Sequence, residues 1–210
     1  MKKAGILSMQ RIYNYGSFLQ AYGLKKMLEE LGCDVEFVDY HPGKCLVDLK
    51  QKNGLLRKLS KSMEVLMIQA PLKAKLNFIK YKKNFGVKYH SYLGIGSQYN
   101  YNPELDILVI GSDEVFNCVQ DNPNVGYTAE LFGVGSQAET VISYAASFGN
   151  TTMERLKQYG AEKEVAGWLN SFNTISVRDN NSYEIVKELT GKAPELHLDP
   201  VLMYDYMKKC

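Results

Sequence analysis

The sequence predicts a doubly wound α/β domain, built on a Rossmann-like, mostly parallel sheet. Three observations predict it. Apolar runs of strand length recur along the chain, at residues 3–9, Asp34–Tyr40, Ile107–Ile110, Thr140–Ala146, Thr174–Val177 and Glu195–Leu198. Most of these runs give way to small or polar residues and then to a stretch with helical spacing, the rhythm of repeated βαβ units. The chain is also large enough for one such domain: its 210 residues, 45% hydrophobic and 23% charged, can bury a substantial core.

The first strand, KAGILSM at 3–9, leads into a turn at Asn14-Tyr15-Gly16. A helix is expected from about Ser17 to Leu31, with an apolar stripe of Phe18, Leu19, Tyr22, Leu28 and Leu31 and a stop at Gly32. A strand, glycine turn and helix in this order leave backbone N–H groups at a helix N-terminus, a natural anion seat. Neither GxGxxG nor GxxxxGK[ST] is present, so no motif supports a dinucleotide or a P-loop nucleotide. The second strand ends in Asp39-Tyr40-His41-Pro42, where proline opposes continuation. Asp39 either holds a sugar hydroxyl or caps a loop.

Residues 44–104 interrupt the rhythm as a helical excursion. Two amphipathic segments are expected there, Leu55–Gln69 and Leu72–Phe85, separated by Pro71. Twelve Lys or Arg lie between Lys44 and His90 against two acids, a balance of +10, while the whole chain carries only +2. The basic stretch reads as the solvated face of a packed helix, as a helix on an anionic membrane surface, or as a patch for an anionic substrate. No nucleic-acid-binding module accompanies the charge, and no nucleic-acid partner is expected.

The central stretch is Asp106–Asn117, DILVIGSDEVFN. Its unbroken run Ile107–Ile110 suits a strand covered on both faces. Gly111 then permits a sharp turn or a close approach to a ligand, and Ser112, Asp113, Glu114 and Asn117 bring polar groups to the end of a strand, where open α/β sheets bind ligands. A helix cap at Ser112 or Asp113 is the purely structural alternative. Further on, a helix is expected over 153–170 with Trp168 and Leu169 as core anchors. A short strand then stops at Arg178-Asp179, a helix runs from Ser182 to Leu189, and a last strand closes at Asp199-Pro200.

Cys33, Cys45, Cys118 and Cys210 form no CxxC pair, and no signal peptide is recognised; reduced thiols in the cytoplasm are the expectation. The apolar patch at 65–68 is too short to span a bilayer. His41, His90 and His197 are scattered, so no metal is expected.

Six segments taken together resemble the polysaccharide pyruvyl transferases. They are residues 14–32, 35–42, 106–117, 142–149, 174–179 and 196–203, in the family's order. One departure stands out: the family often shows Gln-Val-Trp where this chain has Glu114-Val115-Phe116. The resemblance implies a transferase that moves a pyruvyl group from phosphoenolpyruvate onto a sugar of an exopolysaccharide or cell-wall polymer. The donor would be a substrate, with no cofactor. The fold implied is the N-terminal half of a GT-B-like enzyme. The second domain, with its functional histidine and much of the donor site, is expected to be absent, whether by trimming or natural truncation, and the piece to be inactive alone. An acceptor sugar or lipid-linked oligosaccharide is the implied partner, with anionic membrane contact through residues 44–90, a peripheral place at the inner membrane face and a homo-oligomer as further expectations.

By family position, Arg178 binds the donor anion, since a guanidinium offers planar, paired donors to carboxylate and phosphate; a structural salt bridge to Asp179 or to a helix carboxylate is the alternative. Asp113 orients or deprotonates an acceptor hydroxyl, or caps a helix. Asn14, Tyr15, Gly16 and Gln20 line the other wall, and Gly111, Ser112 and Asn117 complete the substrate contacts. Two rival readings stay open: a non-catalytic docking domain, and half of a sugar-nucleotide glycosyltransferase. Convergence of Arg178, Asp113 and the Asn14–Gly16 turn in one cleft favours the enzyme.

Overall fold

A computed structural model describes residues 1–47 and 71–209. The element order among these begins β1 (Lys3–Leu7), α1 (Tyr15–Glu30), β2 (Asp34–Phe37), α2 (Leu72–Leu93), β3 (Ile107–Gly111), a 3-10 turn (Ala129–Phe132) and β4 (Thr140–Tyr144). It continues with α3 (Met153–Tyr159), α4 (Glu162–Asn170), β5 (Ser176–Val177), α5 (Asn180–Thr190), β6 (Glu195–Leu196), α6 (Pro200–Met203) and a 3-10 turn (Tyr206–Lys209). The expected Leu55–Gln69 segment lies outside the described residues.

The central sheet of the described residues has strand order β2-β1-β3-β4, every pair parallel. The β5-β6 ladder is also parallel and joins β4 through bridges Ile142–Thr174 and Ala146–Val177. Strand alternation sends residues to two cores. On one face Ile6 and Val109 meet Ala21 and Leu24 of α1 and Leu93 of α2. On the other, Leu108 and Ile110 meet Phe116, Phe132 and Phe148, then Leu156, Leu169 and Ile185 from α3, α4 and α5. The mixed α/β fold with a parallel, helix-flanked sheet is therefore the one expected. Because the order reverses between β1 and β3, their carboxyl ends form the switch point at which such sheets leave a crevice.

Several boundaries differ from expectation, each for a local reason. Helix α1 starts two residues earlier, because the Asn14 side chain accepts the Gly16 N–H at 2.9 Å and becomes the N-cap. Its buried face is Ser17, Gln20, Ala21, Gly23 and Leu24, while Leu31 is exposed. Of the predicted stripe, Phe18, Tyr22 and Leu28 pack partly buried against the core beside that face. The 153–170 helix breaks into α3 and α4 at Gly160, whose φ of 64° ends the first piece with N–H bonds back to Leu156 and Lys157 carbonyls. Helix α2 runs on past Phe85 to Leu93, stopped by the left-handed Gly94. Of its predicted apolar side, Phe85 is buried but Leu72, Leu76 and Ile79 are exposed. No helix of the described residues is long and apolar enough to cross a membrane.

Candidate active site

The switch point is held together by one side chain. Gln20, buried on the first turns of α1, donates to Ser8 Oγ at 2.9 Å and to the Ser17 carbonyl at 2.9 Å, and accepts the Ser112 N–H at 3.0 Å. It therefore ties the carboxyl end of β1 to the turn after β3. Every polar atom in this dry spot needs a partner, and the carboxamide, with both a donor and an acceptor end, serves both strands.

The turn after β3 is tight. Gly111 has φ 132°, and a Cβ built on it would lie 2.3 Å from the Tyr144 carbonyl oxygen, so glycine is required by conformation and by space. Asp113 follows in the left-handed region at φ 67°, a region Asp enters more easily than most residues. Its Oδ1 accepts the Glu114 N–H at 2.9 Å, and its Oδ2 accepts the Ser17 hydroxyl at 2.6 Å. Asp113 heads no described helix, so the capping alternative does not describe it; it turns toward the N-terminus of α1.

Arg178 arrives from the end of β5. Its Nη1 donates to Asp199 Oδ2 at 2.5 Å and, more distantly, to Ser112 Oγ at 3.5 Å, while its Nη2 stands 4.0 Å from Asp113 Oδ1. Ser112 Oγ also donates to Asp199 Oδ2 at 2.9 Å. Of the structural partners expected for Arg178, Asp179 is engaged elsewhere, capping α5 through the Ser182 N–H and accepting the Ser147 hydroxyl, while the salt bridge to a helix carboxylate is present, with Asp199. Asp199 caps α6 through the Val201 N–H, and the segment beyond docks on α1, where the Tyr206 hydroxyl donates to the Leu19 carbonyl at 2.8 Å. That docking and the β5–β6 ladder fix Asp199 opposite Arg178.

Ser17, Ser112, Asp113, Arg178 and Asp199 thus converge at the carboxyl ends of β1, β3 and β5, with the charged members only about a fifth to a quarter exposed. An arginine flanked by two carboxylates and two hydroxyls can orient an anion or polyol and exchange a proton with a hydroxyl. A family model described as polysaccharide pyruvyl transferase matches residues 14–209, nearly the whole chain, and spans every one of these groups. The chain belongs to the polysaccharide pyruvyl transferase family. Neither the curated proteins nor the solved structures gave a match.

In this family member the other residues singled out by sequence lie elsewhere. Asn14 spends its side chain on capping α1. Tyr15 leans away onto α2, stacking on Tyr81 and bonding the Tyr89 hydroxyl at 2.9 Å. Gly16 supplies backbone in the first turn of α1. Asn117 points inward: its amide donates to Glu114 and accepts from Thr151 Oγ1 and the Val119 N–H, locking the loop after the site. Ser17 and Asp199 were missed by the sequence reading as site residues. Asp199 before Pro200 carried a signal, since a capping carboxylate ahead of a proline at the first helical position fixes a side chain at a strand end.

Asp39 is committed to structure. Arg11 grips it with Nε and Nη2 at 2.5 and 2.7 Å, and the Asn100 N–H adds a third bond at 3.0 Å. The carboxylate in turn raises the Arg11 pKa above its ordinary value. Beside this pair, past Ser8, a cleft of about 570 Å³ opens over the ends of β1 and β2.

Proposed function

We propose that this protein transfers a pyruvyl group from phosphoenolpyruvate to a sugar diol, forming a cyclic ketal. The observation that carries the reading is the convergence of Arg178, Asp113 and Asp199 at the switch point of a chain belonging to this family. In the reaction the enol carbon C3 takes a proton and becomes a methyl group. One sugar hydroxyl adds to C2, a second displaces the phosphate, and each hydroxyl gives up its proton. Asp113, already accepting a hydroxyl from Ser17 at 2.6 Å, is the group suited to orient and deprotonate an acceptor hydroxyl. Arg178 is suited to the donor carboxylate or phosphate.

Arg178, Asp113 and Asp199 sum to one negative charge, so a donor carrying both carboxylate and phosphate calls for further cations. We infer that Arg178 holds the donor and that a second unit facing the switch point, as in a two-domain GT-B-like enzyme, adds cations that tighten that hold. The cytoplasmic face of a membrane is the proposed setting, with Leu72, Leu76 and Ile79 exposed beside exposed Lys73 and Lys80 on α2.

Phosphate release from phosphoenolpyruvate in the presence of sugar acceptors tests the reading. Release should depend on acceptor and fall about a hundredfold or more in Asp113→Asn. Release untouched by that substitution contradicts the assigned role.

A further inference from the structure

The cleft beside the switch point has a chemical character unlike that of the Arg178 cluster. Its charged members are Arg11 and Asp39, and they neutralise one another across two short contacts. Arg11 also donates from Nη1 to the Gly96 carbonyl at 3.1 Å and from Nη2 to the Gln98 carbonyl at 3.0 Å, so four of its five N–H donors are engaged. An anion entering here would find, among the described lining residues, no cation that is not already paired with a carboxylate. What the walls do offer is hydroxyl and carboxamide chemistry, from Tyr13, Tyr99, Tyr101, Asn122 and Asn124.

The aromatic part of the wall is prebuilt. The Arg11 guanidinium lies 4.2 Å over the Tyr99 ring, Tyr99 stacks on Tyr101 at 5.4 Å and 4°, and Tyr101 stacks on His41 at 3.9 Å and 12°. The rings cover one another's faces, yet Tyr99 and Tyr101 remain 57% and 41% exposed, so their edges and hydroxyls are what the stack turns outward. Such fixed phenols make hydrogen bonds at little ordering cost. A cleft of this volume is of ligand size.

A buried hydrogen-bond path leads from this cleft to the reactive cluster. Gln10 donates to the Val38 carbonyl and to Asp39, and accepts the Ser8 N–H at 3.0 Å; Ser8 then meets Gln20, and Gln20 meets Ser112. Ser8 thus sits fully buried beneath the cleft and links it, through Gln20, to the switch point.

We propose that this cleft is the subsite for an uncharged saccharide unit of the acceptor, coupled to the Asp113–Arg178 cluster through the buried Ser8–Gln20 path. The assignment rests on the pyruvyl transfer reading and deepens it: the acceptor residue held here is a neutral sugar, and the anionic donor is held apart from it. A phosphorylated or acidic sugar is disfavoured, because Asp39 neutralises Arg11, the one cation among the described lining residues.

The test is saturation-transfer and chemical-shift titration with methyl glucoside, methyl galactoside, N-acetylglucosamine and glucose 6-phosphate. It is run on the wild type, on Asn124→Ala and on the doubly substituted Tyr99→Phe, Tyr101→Phe protein, which keeps the stack and loses its hydroxyls. At least one neutral sugar should shift residues of the 8–13 and 99–101 segments, bind about tenfold more weakly in the double variant and outcompete glucose 6-phosphate. Phosphoenolpyruvate binding should be unchanged in both variants. Neutral sugars that do not bind, that bind equally well to the variants, or that lose to glucose 6-phosphate overturn the proposal. A loss of phosphoenolpyruvate binding confined to Arg178→Ala would leave the transfer reading standing in that case, so the two can fail separately.

Discussion

At the residue scale, Gln20 holds the site's geometry and Arg178 its charge. Gln20→Leu removes the partner of the buried Ser112 N–H and of Ser8, and should cost about 2 kcal/mol of stability, read from urea unfolding with the slope unchanged. A full-stability variant would mean that the carboxamide is not what joins the strands. Gly111→Ala is expected to be harsher: φ 132° and a 2.3 Å approach to the Tyr144 carbonyl should cost about 3 kcal/mol or more, visible in the same unfolding curves. Arg178 and Asp113 were legible in the sequence, since each follows an apolar strand and therefore had to sit at a strand end. Their partners were not. Arg178 pairs with Asp199 across 21 positions, Asp113 with Ser17 across 96 and Arg11 with Asp39 across 28, separations that no local spacing rule detects.

At the element scale, hydrophobic runs located the strands well, most plainly β1 and β3, which are buried along nearly their whole length and so leave an unbroken apolar signature. Helix limits were less legible. The Gly160 break needed one residue's left-handed conformation, and the start of α1 turned on whether Asn14 or a later residue donated its side chain to the cap. The buried face of α1 was read in part: Phe18, Tyr22 and Leu28 pack partly buried against the core, but the polar Ser17 and Gln20 are buried more deeply, their side chains bonded to Asp113, Ser8 and the Ser112 N–H. Helix α2 carries a pH-dependent contact. His90 is half-buried against Tyr13 and Phe85, and burial together with Arg11 lowers its pKa, against a weaker opposing pull from Asp39. The unfolded imidazole binds its proton more readily than the folded one. Its contribution to stability is therefore present above the ordinary value of about 6.5 and lost as pH falls through the lowered folded value. Urea midpoints measured between about pH 5 and 8 should fall on acidification less steeply in His90→Phe than in the wild type. Parallel profiles would remove His90 from the account.

At the scale of the whole molecule, one arrangement recurs: a parallel sheet whose order reverses between β1 and β3 gathers loops from most of the chain at one edge. The α/β class was readable from rhythm alone, and the family from six segments in order. The division of that edge into a charged cluster and a neutral cleft was not, because it depends on Asp39 being spent on Arg11. The basic character of α2 belongs to this scale too. Vesicles containing anionic lipid should sediment the protein at low salt and release it as salt rises, and Ile79→Glu should weaken the association. Equal binding to neutral vesicles would contradict an electrostatic contact.

The central claim, that the switch-point cluster receives the pyruvyl donor, is tested most directly by calorimetric titration of phosphoenolpyruvate into the wild type and Arg178→Ala, each checked for folding. Saturable heat in the wild type, lost in the variant, is the predicted result. The same donor affinity in both proteins would contradict it.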